Sequence, residues 1–149
     1  MTTTSSRAPV LIACLGGLAI ALMVVGVVSG TVLRHVVQTV PVLLAAAFVS
    51  WRPAIGAYAA LPIFIFWILI VILIWLFLAG LSRIANGHYT TTEILSTVVM
   101  AVCCGYGVFR AIPSGRPASI AARMVTFIAF AALQFAAMLI SFSRSIANR

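Results

Sequence analysis

Residues 55–81, IGAYAALPIFIFWILIVILIWLFLAGL, run for 27 positions without one charged side chain. As an α-helix this stretch is about 40 Å long at ~1.5 Å per residue, more than the ~30 Å hydrocarbon layer of a bilayer. A helix that is apolar all round has no face to give to water, so it belongs inside a large core or inside lipid. The chain does not supply a large soluble core. Of its 149 residues 64% are hydrophobic and 7% are charged, against roughly 25% charged in a soluble domain. The sequence therefore predicts an integral membrane protein, with the long run tilted, bent near Pro62 or begun by an interfacial turn.

Four further runs accompany it, giving an all-α helical bundle with helices expected at about 9–30, 33–51, 55–82, 92–112 and 118–142. A short polar head, 1–7, precedes this single bundle of 8–144, and a basic tail, 145–149, follows it. The first run competes with a signal peptide ending near Val28-Ser29-Gly30, but it exceeds the usual 7–15 residue signal core and is read as a retained helix. Leu11-Ile12-Ala13-Cys14 resembles a lipoprotein cleavage box but has too few apolar residues before it. The second run is the weakest: it crosses only if Arg34 and Trp51 sit at opposite interfaces, and Pro41 removes a backbone donor within it. A re-entrant second segment with four spans is the alternative. Loops of a few residues are expected to set sequential helices side by side.

The net charge of +8 does not indicate nucleic acid, because the arginines do not gather on one face or along one helix. Arg7, Arg34, Arg52, Arg83, Arg110, Arg116, Arg144 and Arg149 fall near the ends of apolar runs, and Arg123 lies one turn inside one; there guanidinium groups reach phosphate headgroups. With five crossings, the side of the N-terminus collects Arg7, Arg52, Arg110, Arg116 and Arg123, and the other collects Arg34, Arg83, Arg144 and Arg149. That excess of one charge leans towards a cytoplasmic N-terminus. The absence of lysine and the alanine-rich usage point to a GC-rich bacterial genome, hence a bacterial inner membrane.

Glu93 is the only acidic residue in the chain. Thr90-Thr91-Thr92-Glu93 fits the capping box, in which the Thr90 hydroxyl accepts from the third helical amide and Glu93 reaches back to the Thr90 amide. Five-helix topology also places Arg34, His35 and Gln38 on the same face as Arg83, His88 and Glu93. His35 and Gln38 lie three apart, and Arg34 and Gln38 four, so they share one sector of a helix. The six residues form a candidate interfacial polar cluster between the second and fourth helices, suited to a structural ion pair or to a lipid headgroup, an anion, a quinone or a proton.

Other chemistry is sparse. Cys103 and Cys104 are adjacent in an apolar helix, where small packing residues are expected and a vicinal disulfide is strained. Two histidines and one glutamate offer neither a metal ligand set nor a carboxylate pair, and no nucleotide loop or hydrolase elbow occurs. No cofactor, metal or enzymatic activity is expected. Small residues four apart, at Gly17 and Ala21, Gly26 and Gly30, Gly56 and Ala60, and Ala101 and Gly105, permit close helix approach in lipid, the GxxxG being the most specific. The bulky third run suits contact with acyl chains or a partner's transmembrane surface. These features predict a structural or accessory subunit of a membrane complex, with other subunits or further copies as partners besides the bilayer. A small transporter or channel component is the alternative, with Gln38, Thr126 and Gln134 as the polar residues available to a route.

Overall fold

The computed structural model describes residues 7–81, 89–112, 119–143 and 146. They form five α-helices and no strand: α1 (Arg7–Val28), α2 (Val32–Trp51), α3 (Pro53–Leu78), α4 (Thr91–Ala111) and α5 (Ile120–Ser141). Each is long and apolar enough to cross a membrane. The second run is one uninterrupted helix, with Pro41 buried inside it.

Local chemistry sets the helix ends. At the end of α1, Gly30 has φ +69°, and the amides of Gly30 and Thr31 donate to the carbonyls of Val27 and Gly26. This is a Schellman closure, whose left-handed residue a side chain with Cβ disfavours. Gly30 of the GxxxG is therefore a turn residue and not half of a packing seam. The same closure ends α3: Gly80 at φ +73° donates to Phe77, and Leu81 donates to Leu76. Between α2 and α3 there is only Arg52, which closes one helix and opens the next. Pro53 follows at the first helical position, where its missing N–H costs nothing.

Around the bundle the helices follow the order α1, α2, α5, α3, α4 and back to α1, with α2 also touching α3 across the middle. Arg7 donates to the Ile112 carbonyl at 3.3 Å, and Arg123 to the Tyr58 hydroxyl at 3.4 Å. One end, the proximal end, thus gathers the starts of α1, α3 and α5 and the end of α4. The distal end holds the α1–α2 turn, the end of α3, the start of α4 and the end of α5. Helices α4 and α5, consecutive in the chain, do not pack on each other, contrary to the side-by-side expectation. Helix α3 stands between them, because its lack of a polar stripe lets it be covered on several sides. Its bulky residues accordingly divide: Phe64 and Trp67 are buried, whereas Ile65, Leu69, Ile72 and Trp75 face outward.

The proximal half is tightly filled. Leu15, Leu18, Val42, Val49, Ala59, Ala60, Ile63, Phe64 and Cys104 are each at most 1% exposed. Glycines permit the closest contacts. A Cβ on Gly56 would meet the Val49 backbone at 2.6 Å, one on Gly17 the Cys103 sulfur at 2.7 Å, and one on Gly107 the Phe64 ring at 2.5 Å. Gly105 meets nothing, so the Ala101–Gly105 pair is not a seam. Cys14, Cys103 and Cys104 are all free thiols.

Candidate functional site

At the distal end the bundle does not close. Helices α2 and α4 face each other without backbone contact across a cavity of about 330 Å³, to which all five helices contribute. Leu22, Val25, Ile70, Ile74 and Met100 form its apolar walls, and Arg34, His35, Gln38, Tyr89, Glu93 and Thr97 supply polar groups. Four of the six residues of the sequence-derived cluster thus line one cavity. Arg83 and His88 lie outside the described residues.

Each polar group is held by an identifiable local contact. Thr90 caps α4: its hydroxyl accepts from the Glu93 amide at 3.3 Å, and its own amide donates to Glu93 Oε2 at 2.7 Å. The Thr90 hydroxyl also donates to that oxygen, at 2.8 Å. Glu93 is 8% exposed, and among the described residues it forms no ion pair. Oε2 is therefore committed to the cap, while Oε1 has no partner there. The Tyr89 phenol, beside the same carboxylate, is pushed up in pKa by burial and then by the Glu93 charge, so it stays protonated and can donate.

Across the cavity, His35 Nδ1 lies 3.0 Å from the Thr31 carbonyl and 3.1 Å from the Thr31 hydroxyl. The carbonyl can only accept, so Nδ1 carries the proton in the neutral ring and Nε2 presents a lone pair. Gly26 fixes the ring: a Cβ there would fall 2.8 Å from His35 Cβ and 3.0 Å from Cγ. Gln38, 3% exposed, donates from Nε2 to Ser141 Oγ at 2.9 Å and to Met138 Sδ at 3.2 Å, leaving its carbonyl oxygen as an acceptor. The Arg34 guanidinium stacks 4.2 Å over the Phe142 ring, and its Nε donates to the Ser141 carbonyl at 3.5 Å. The outer N–H groups of Arg34 have no partner among the described residues.

Sequence reasoning missed four contributors. Ser141 and Met138 position Gln38 but belong to α5, whose packing against α2 no local pattern announces. Trp67 lines the cavity, is 3% exposed, and has an indole N–H with no hydrogen-bond partner. Thr97 accepts from Trp75 Nε1 at 3.0 Å, tying α3 to α4 along the wall. Gln134, offered by the sequence as a route residue, is not in the cavity wall; it is fully buried and both of its amide atoms lack partners. Among the described residues no group of three metal-ligating side chains occurs.

Comparisons with protein-family models, with curated proteins and with solved structures give no match.

Proposed function

We propose that this chain is a small, non-enzymatic multi-pass protein of the bacterial inner membrane, with a cytoplasmic N-terminus, which binds a small molecule in the distal cavity as a transporter component. The observation that carries this reading is a cavity of about 330 Å³ walled by apolar side chains and a few placed polar ones, the usual make-up of a small-molecule site, at the small end of the size range. The filled proximal half argues for binding and carriage over an open channel, since the packed core around Leu15, Leu18, Ile63 and Phe64 leaves ions no continuous polar path. The test is thermal melting in an uncharged maltoside detergent against a panel of neutral, cationic, anionic and zwitterionic solutes. At least one should raise the wild-type melting midpoint and lose that effect in Gln38→Leu. A panel with no stabilising member would remove the binding reading.

A role as accessory subunit draws support from a different feature. An open groove of about 470 Å³ runs between α1 and α2, lined by Ala19, Ile20, Met23, Val24, Val27, Val28, Thr39 and Leu43. Its shape and nearly uniform apolarity suit the transmembrane helix of another subunit, held there by van der Waals packing. Extraction in mild detergent should then yield an assembly larger than the monomer, which Ala19→Phe dissociates. A wild-type chain that runs only as a monomer would count against it.

A further inference from the structure

The distal cavity holds two fixed charges of opposite sign that do not meet. Glu93 and Arg34 line the same space, yet the carboxylate turns to the Thr90 cap and the guanidinium turns to Phe142 and the Ser141 carbonyl. In low-dielectric surroundings separated charges attract strongly, and among the described residues neither has a counter-charge, which is unfavourable. A ligand of one sign would neutralise one and be repelled by the other. A ligand carrying both signs, spaced across the cavity, satisfies both.

Uncharged polar groups line the same cavity. Glu93 Oε1 and His35 Nε2 are acceptors with no protein donor among the described residues, and each suits an ammonium group; the Gln38 carbonyl oxygen is a further open acceptor, its amide held on Ser141, which also takes Arg34 Nε. The outer N–H groups of Arg34 suit a carboxylate or phosphate, which the guanidinium can grip with two parallel bonds. In the same lining, Ile70, Ile74 and Met100 offer an apolar surface. Resting on the binding function proposed above, we infer that the cavity takes a small zwitterion with an apolar body, its ammonium group at Glu93 and its anionic group at Arg34. An apolar α-amino acid and the headgroup of a zwitterionic phospholipid share this chemistry.

Calorimetric titration of the full chain in maltoside compares L-leucine with its cationic amide, leucinamide, and with the anionic 4-methylpentanoate. Native mass spectrometry compares retention of phosphatidylethanolamine with that of phosphatidylglycerol. Leucine bound at least tenfold more tightly than both analogues identifies a free zwitterion, and selective phosphatidylethanolamine retention identifies the lipid. Arg34→Gln should abolish the preference for leucine over leucinamide. Glu93→Gln should abolish its preference over 4-methylpentanoate, and Gln in that position retains the reach back to Thr90 that the cap requires. In the lipid case both variants should lose the phosphatidylethanolamine selectivity. Equal binding of either singly charged analogue and no lipid preference would overturn the inference while leaving a binding site. A uniform loss of all ligands in both variants would overturn it too, by showing the two residues to be structural. Failure of leucine and phosphatidylethanolamine alike to bind also refutes it, whatever other solute stabilises the chain.

Discussion

Glu93 splits its carboxylate between two tasks, one oxygen closing the first turn of α4 and the other left to the cavity. The first task can be measured alone. Thr90→Ala removes the hydroxyl that accepts from the Glu93 amide and should cost about 1 kcal/mol of stability, seen as a lower melting midpoint in detergent; an unchanged midpoint would mean that the cap contributes nothing. Gln134 gives the opposite expectation. Its amide is fully buried with neither atom partnered, a burden of roughly 1–3 kcal/mol, so Gln134→Leu should raise the midpoint. A clear decrease would show that the amide has a partner in the folded protein. These residues also mark where sequence reading reaches. The capping box spans four consecutive residues and depends on nothing outside them, so it is readable directly. The Gln38–Ser141 bond joins positions 103 apart and exists only because α5 lies against α2.

Helix contacts are governed by individual small residues more than by the motifs they spell. Gly56 sits 2.6 Å, measured from its would-be Cβ, from the Val49 backbone, which cannot rotate aside, whereas Gly105 has open space. Gly56→Ala should therefore force α2 and α3 apart and cost about 1–3 kcal/mol, while Gly105→Ala should be neutral or stabilise by up to about 1 kcal/mol through better helix propensity. Equal melting midpoints for the two variants would contradict the α2–α3 packing. Spacing alone could not separate them, since each lies four residues from an alanine. What distinguishes them is the identity of the neighbouring helix, a tertiary property. By contrast, the number and approximate limits of the helices follow from the apolar runs themselves, because a run that buries its whole backbone must satisfy every N–H and C=O internally.

For the whole molecule, five helices with both the α1–α2 turn and the end of α5 at one end require alternate connections to emerge on opposite sides. Reporters fused after Gly30 and Gly87 should share one compartment, and a reporter after Ser114 should share the other with the N-terminus. Gly30 and Ser114 reporting the same side would refute the arrangement. The chain order did not disclose that α3 separates α4 from α5, because short connections constrain distance along the sequence but leave open which partner covers an all-apolar helix. The Arg52 junction has its own bearing on how the protein is made. A single residue between two antiparallel helices would, in a bilayer, leave little slack for α2, with its arginine, histidine, glutamine and proline, to lie outside the lipid while α3 lies within. The less apolar segment is tethered to the most apolar one, and in a membrane the pair is expected to partition during biosynthesis as a single hairpin.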